Sequence, residues 1–170
     1  TAFPAQLEMV ERTFNDYRLS GIFLTHAHIG HYAGLMFLGK EVMNTRETPV
    51  FASHSLCALL EENAPWAQLA TQRNIVLNRI AENQVVNLTP QLSVSGTLVP
   101  HRDELSDTFA FLIQGPMRKL FFCPDTDDWE SWPLDLTSFL TDIDYALLDG
   151  TFYSENELPE TRLSKVPHPK

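Results

Sequence analysis

One stretch decides the fold of this chain, and it reads Leu24-Thr25-His26-Ala27-His28-Ile29-Gly30-His31-Tyr32-Ala33-Gly34-Leu35. The apolar run just before it, Gly21 to Leu24, predicts a buried strand. Three histidines follow with spacings of two and three residues, and a turn at Gly30 leads into a predicted helix. Because residues i and i+2 of an extended segment project to the same side, we expect His26 and His28 to hold one metal ion between them. Neutral imidazole suits zinc, iron and nickel, so the stretch predicts a divalent-metal site.

This stretch resembles the His-x-His-x-Asp-His signature of the metallo-β-lactamase superfamily. It departs from that signature at Gly30, where the superfamily has aspartate. The resemblance implies an α/β fold, the αββα sandwich, in which two mixed sheets lie face to face with helices outside. The strands that normally come before the histidine motif would precede Thr1, and the chain has no initiator methionine. We therefore expect residues 1–170 to form a single domain that is a segment of a longer protein, incomplete at its N-terminus.

Composition and charge narrow the class of protein. The 170 residues are 44% hydrophobic and 20% charged, which is typical of a globular chain. The net charge is −10 without a Lys/Arg cluster, which argues against nucleic-acid binding because that depends on neutralising phosphates. No apolar run approaches the ~20 residues that span a bilayer, and Cys57 and Cys123 lack CxxC spacing. We expect a cytoplasmic protein with a small-molecule substrate, no disulfide framework, and neither a nucleic-acid nor a membrane partner.

The remaining pattern alternates helices with strands, as in an α/β protein. We expect Ser55 to cap the helix that follows it, and residues 145–149 to form a buried strand. Gly115 and Pro116 are expected to turn a hairpin between two apolar strands. The predicted helices are 5–18, 31–43, 55–63, a short one at 65–69, and 133–140; the predicted strands are 21–25, 49–52, 75–77, 85–88, 92–94, 96–100, 108–113 and 119–123.

The superfamily resemblance assigns further ligands. His101 follows an apolar strand, as the fourth histidine of the family does, and His168 comes late, as the last ligand should. Asp125-Thr126 resembles the Gly-Asp-Thr of phosphodiesterase branches, with Pro124 in place of the glycine. His54 has no counterpart in the pattern and is interpreted as a loop histidine.

The resemblance implies one ion held by His26, His28 and His101, with Asp125 bridging to a second position. That second position would use His31, His168 and Asp125, and it lacks one anionic ligand because of Gly30. The expectation is one or two divalent ions, zinc first, with iron or manganese as alternatives. A bound water with its pKa lowered to ~7 would supply hydroxide, and Asp125 would orient that water or accept its proton.

Three further side chains have two interpretations each. Tyr32 either contacts a ligand histidine without binding the metal itself, or it is a packing residue. Asp149 ends a predicted strand and would either hydrogen-bond a ligand histidine or cap the turn. Asp127 is interpreted as a solvated loop carboxylate, with ligation as the alternative.

Two branches of the superfamily share features with this chain. Asp149-Gly150-Thr151-Phe152, with Trp129, resembles the coenzyme PQQ synthesis protein B family, whereas the intact histidine pair and Asp125-Thr126 are similar to phosphodiesterase-type hydrolases. Hydrolysis of a small ester or phosphodiester is the first hypothesis. The alternatives are an O2-activating iron hydroxylase, which Gly30 and the two-histidine, one-carboxylate set favour, and a non-catalytic metal-binding protein. Substrate identity and oligomeric state stay open.

Overall fold

A computed structural model describes residues 2–152 and residue 157. The chain forms two compact units that join in sequence between Ile80 and Ala81. Each unit has its own sheet, with three strands in the first and five in the second. Two sheets with helices match the expected α/β class, and the expectation of a single domain stays a prediction.

The first unit is built around parallel strands that are connected by helices. Its elements are α1 (Phe3–Thr13), β1 (Ile22–Phe23), α2 (Ile29–Tyr32), a 3₁₀ helix (Ala33–Leu38), β2 (Thr48–Ala52), α3 (His54–Glu62), α4 (Trp66–Thr71) and β3 (Ile75–Arg79). The strand order is β1-β2-β3, and Val50 of β2 pairs with Ile22 on one side and Leu77 on the other. Parallel pairing requires a crossover between successive strands, and the helices supply it.

The core of the first unit lies where these helices cover the sheet. Leu38, Val50, Leu56 and Leu60 are fully buried, and they belong to one apolar cluster. Gly34 allows α1 to approach the 3₁₀ helix closely, because a Cβ at that position would lie 2.9 Å from Cβ of Phe3. The end of β1 that leads to the histidines is thereby anchored in a packed core.

The second unit is a mixed sheet with a hairpin at its centre. Its elements are β4 (Val85–Thr89), β5 (Leu92–Leu98), β6 (Phe109–Gln114), β7 (Lys119–Cys123), α5 (Leu136–Leu140) and β8 (Tyr145–Leu148). The strands follow one another across the sheet, antiparallel except for the parallel pair β7–β8. The predicted hairpin is confirmed, with Gln114 paired to Lys119 around the turn.

Five expectations about local structure were wrong in detail. Ser53, not Ser55, caps α3, because its hydroxyl oxygen accepts a hydrogen bond from the amide of Leu56. The predicted helix 31–43 is instead one α-turn followed by the 3₁₀ helix, and strands 92–94 and 96–100 are one strand, β5. Helix 5–18 ends at Thr13, and helix 133–140 begins only at Leu136, after the Asp135 cap.

Strand β8 is exposed, although its apolar sequence predicted burial. Tyr145 is 56% exposed and Leu147 is 55% exposed. Among the described strands β8 has a neighbour on one side only, β7, so it forms an edge of the sheet. An apolar run alone does not distinguish an edge strand from a central one.

No helix in the described part of the chain is long and apolar enough to cross a membrane.

Adjacent phenylalanines on β7 test how the second core is packed. Phe121 is fully buried, with its ring centroid 4.9 Å from that of Phe139 and 6.0 Å from that of Trp132. We expect Phe121→Ala to lower the free energy of unfolding by about 3–5 kcal/mol, because it leaves a cavity in this cluster. Chemical denaturation, monitored by tryptophan fluorescence, measures the loss in the free energy of unfolding.

The matched control is Phe122→Ala on the same strand. Phe122 points to the other face and is 36% exposed, so part of its ring already lies in water. We expect a loss of roughly 1–2 kcal/mol for this variant. Equal losses for the two variants would contradict the described packing.

Candidate metal centre

One group of candidate ligands lies in the first unit, on the histidine segment that follows β1. The amide of Leu24 donates to the carbonyl of Phe51 at 2.9 Å, which extends the pairing with β2 beyond the strand itself. The backbone then stays extended, and His28 has φ −77° and ψ 133°. His26 is only 1% exposed, and its Nε2 lies 2.9 Å from Nδ1 of His28. The extended segment thus brings the two imidazoles together, as the spacing predicted.

The ring of His26 also has a contact at its Nδ1 edge. Oγ1 of Thr25 lies 3.1 Å from Nδ1 of His26, and both side chains are buried. In the tautomer in which Nδ1–H donates to the Thr25 oxygen, the lone pair of the neutral ring is on Nε2, the atom that faces His28. Thr25 therefore acts as a support for a candidate ligand.

His31 lies next to this pair, at the surface. Its ring centroid is 4.4 Å from that of His26, and its amide donates to the carbonyl of His28 at 2.8 Å. Gly30, between them, is exposed, and a Cβ there would meet no heavy atom within 4 Å outside its own helix. The position that carries aspartate in the superfamily signature therefore has room for a side chain.

A separate group of candidate ligands lies in the second unit, on the segments that follow β5 and β7. His101 has a nearly buried side chain, 6% exposed. Its Nε2 lies 3.7 Å from Oδ2 of Asp125, and its Nδ1 lies 2.5 Å from Oδ1 of Asp127. The first distance is too long for a hydrogen bond and the second is a short one. Two carboxylates thus contact opposite edges of one imidazole.

Backbone hydrogen bonds fix the loop that carries these carboxylates. The carbonyl of Pro100 accepts from the amide of Asp127 at 2.7 Å and from the hydroxyl of Thr126 at 3.0 Å. The indole of Trp132 donates to the carbonyl of Leu98 at 2.8 Å. These bonds join the loop after β7 to the segment around His101, so the carboxylates and the imidazole share one rigid frame.

The structure also locates the remaining predicted site residues. Asp149 adopts the turn-capping role, since its Oδ1 accepts from the amide and hydroxyl of Thr151, and its Oδ2 accepts from the amide of Thr126. Tyr32 is buried, with its ring 4.7 Å from that of Trp66 in the first core. His168 lies outside the described residues. The roles of Tyr32 and His168 at the site stay predictions.

The contact between Asp127 and His101 was missed at the sequence level, where Asp127 was interpreted as a solvated carboxylate. The signal was present in the spacing. Asp125 and Asp127 alternate with a buried residue, Thr126, as His26 and His28 alternate with buried Ala27. Applying the same period-two rule to the acidic loop would have placed both carboxylates beside one neighbour.

Cys123 is the last residue of β7, just before the loop that carries Asp125 and Asp127. Its thiol lies 3.7 Å from the carbonyl of Asp125. Burial raises the pKa of this thiol to about 12, with further upward contributions from Asp149 and Asp125. Burial also raises the pKa of Cys57 to about 11. Both groups are therefore neutral thiols at physiological pH.

The comparisons with known proteins fit this arrangement. The model of the Beta-lactamase superfamily domain matches residues 4–168. The chain belongs to the β-lactamase superfamily. No curated protein sequence matches it. The superfamily resemblance that the histidine stretch predicted is thereby confirmed.

Solved structures show the same fold. The Zn(2+)-bound PqqB from Methylobacterium extorquens is 19% identical and has a TM-score of 0.74, over 98% of this chain and 61% of that chain. Unliganded yeast PDE1 is 15% identical with a TM-score of 0.52, over 75% of this chain and 43% of that chain. The chain thus spans about three fifths of the length of the PqqB structure. At these identities the likeness concerns the fold.

Thiol labelling tests the environment of the two cysteines. Cys57 and Cys123 are both fully buried free thiols with raised pKa values. Because the thiolate is the reactive form, we expect a thiol reagent to label neither residue in the native protein at pH 8. Both should react after denaturation. Rapid labelling of Cys123 in the native protein would contradict its described burial.

Proposed function

We propose that this protein is a metal-dependent hydrolase of a small ester or phosphodiester, with His26, His28, His101 and Asp125 as ligands of one divalent ion. The observation that carries the proposal is that potential metal-ligand atoms face each other within each unit. Nε2 of His26 faces Nδ1 of His28, and Nε2 of His101 faces Oδ2 of Asp125. Superfamily membership supports a shared role for the two pairs.

The donor chemistry fits a divalent ion. The four side chains supply three imidazoles and one carboxylate, each with one ligand atom available. Two atoms that each lie 2.0–2.2 Å from one zinc ion are separated by roughly 3.3–3.6 Å at the tetrahedral angle. The separations of 2.9 Å and 3.7 Å lie on either side of that value. Nitrogen and oxygen donors of this kind favour zinc, with iron or manganese as alternatives.

A divalent ion in such a site supplies Lewis acidity that lowers the pKa of a coordinated water and polarises the substrate. The residues of the chain supply the rest. Asp125 has a partly exposed carboxylate that would orient the attacking water and accept its proton. Thr25 contacts Nδ1 of His26 and Asp127 contacts Nδ1 of His101, and these contacts restrict the rotation of the two rings, whose Nε2 atoms are the proposed ligand atoms. The fixed rings avoid a reorganisation cost when the ion binds.

The second metal position is the point at which this chain departs from the superfamily signature. We propose that His31, His168 and Asp125 bind a second ion more weakly than in members that have the aspartate. Gly30 removes one anionic ligand, and water would take its place. One tightly bound ion per chain is therefore our expectation.

The same departure favours a second candidate function, an O2-activating iron hydroxylase. His31, His168 and Asp125 make up a two-histidine, one-carboxylate set, which suits non-haem Fe(II). Dependence of turnover on O2 and a reductant distinguishes this candidate from the hydrolase. The third possibility, a metal-binding protein without turnover, predicts metal binding with no activity under either condition.

We further propose a cytoplasmic location and a small-molecule substrate. Support for the location comes from Cys57 and Cys123, which are both free thiols. Support for the substrate class comes from the acidic chain, whose net charge of −10 disfavours a polyanionic nucleic acid.

Metal binding by the wild-type protein tests the proposal. We expect one zinc ion per chain by elemental analysis, and a loss of zinc affinity of more than ~100-fold in His26→Ala, because a buried ligand is removed. Competition with a chromophoric chelator measures the affinity. The control is His54→Ala, which removes an exposed histidine at the start of α3. Wild-type protein that binds no zinc, iron or manganese would contradict the proposal.

Restoring the missing carboxylate tests the explanation of the second position. We expect Gly30→Asp to bind two zinc ions per chain, because it adds an anionic ligand where no side chain obstructs it. Gly30→Ala adds a Cβ without a carboxylate and should keep the wild-type stoichiometry. A folded Gly30→Asp variant that still binds one ion would show that Gly30 does not limit the second position.

A further inference from the structure

We infer that Asp127 is a positioning residue that fixes the tautomer and ring orientation of His101. The inference deepens the proposed function, and its consequence for metal affinity rests on that function. Its first part, the tautomer, concerns the protein without metal and stands on the geometry of the second unit alone. It replaces the interpretation of Asp127 as a solvated loop carboxylate.

The contact itself identifies the donor. Nδ1 of His101 and Oδ1 of Asp127 are 2.5 Å apart. An ionised carboxylate has acceptor atoms only, so the hydrogen in this bond is carried by Nδ1. A neutral imidazole carries one N–H, which leaves the lone pair on Nε2. Nε2 is the atom that faces Asp125.

The loop places Asp127 independently of its side chain. Its amide donates to the carbonyl of Pro100, the residue immediately before His101. The hydroxyl of Thr126 donates to the same carbonyl, and Asp149 accepts from the amide of Thr126. Two of these hydrogen bonds hold the loop against the segment that carries the imidazole, and the third holds it against Asp149. The loop therefore fixes the backbone position of Asp127, and the carboxylate contacts Nδ1 of His101 from that position.

The two carboxylates of this loop have different tasks. Oδ2 of Asp125 lies 3.7 Å from Nε2, beyond hydrogen-bond distance, on the edge of the ring that carries the proposed ligand atom. Asp127 is hydrogen-bonded to Nδ1 on the opposite edge of the ring, and Nδ1 is not the proposed metal-binding atom. A carboxylate bonded behind a ligand imidazole raises the basicity of that ligand and restricts its rotation. The proposed division is ligation by Asp125 and orientation by Asp127.

Nitrogen NMR of the metal-free protein tests the first part. With ¹⁵N-labelled histidine, at a pH where the ring is neutral, we expect His101 to be protonated on Nδ1, and the variant His101→Gln assigns its signals. In Asp127→Ala we expect the proton to move to Nε2, the position that free imidazoles favour. Asp127→Asn keeps an acceptor and should give a mixture of the two tautomers. Asp103→Ala removes an exposed carboxylate two residues from His101 and should leave the wild-type pattern.

Either of two results would overturn the assignment. One is a wild-type His101 protonated on Nε2, which needs no variant and so does not depend on how Asp127→Ala folds. The other is a folded Asp127→Ala in which Nδ1 keeps its proton. Both results are obtained without metal, so they are independent of whether the proposed hydrolase function holds.

Zinc affinity tests the second part. We expect Asp127→Ala and Asp127→Asn to bind zinc 10–100-fold more weakly than the wild type. Asp103→Ala, which removes the same charge, should bind as the wild type does. Equal zinc affinity for all three variants and the wild type would overturn the positioning role. A wild-type protein that binds no metal would instead overturn the proposed function, while the NMR result would still decide the tautomer.

Discussion

The placement of alternate side chains on one side of a short segment after a strand is the constraint that the candidate ligands of both units share. In the first unit it turns His26 and His28 to one side while Ala27 is buried between them. In the second unit Asp125 and Asp127 both reach the ring of His101 while Thr126 is buried between them. Each segment directly follows a strand, so the sheet fixes where the alternation begins. A shift of one residue in either segment would turn the intervening residues, rather than these four side chains, to the side that the four now occupy.

Much of the fold was predictable because periodicity and turn chemistry are local. The hairpin around Gly115 and Pro116 followed from two apolar runs and a turn, and it is present with the expected partners. Capping by Ser53 rather than Ser55 was harder to predict. Both serines lie near the start of α3, and only the geometry of the chain leaving β2 decides between them. The exposure of β8 was unpredictable for a different reason, since burial of a strand depends on neighbours that are distant in sequence.

The candidate site was predictable to the extent that its members follow a motif. The histidine spacing identified His26, His28 and His31, and the structure brings these three rings together. The residues that contact the candidate ligand histidines at Nδ1 were not identified in this way. The contact of Asp127 with His101 spans 26 residues of sequence, and the bond from Thr25 to His26 involves a residue type that forms many such bonds. Packing and backbone hydrogen bonds select these supports, and no motif records them.

The proposed function, together with the departure at Gly30, implies one tightly held ion bound by His26, His28, His101 and Asp125. X-ray absorption spectroscopy of protein loaded with one zinc per chain tests this claim most directly. We expect three imidazole nitrogens and one carboxylate oxygen at about 2.0–2.2 Å from the zinc ion. We also expect His101→Ala to reduce the number of imidazole ligands to two. Two imidazoles in the wild type, unchanged in His101→Ala, would contradict the proposed ligand set.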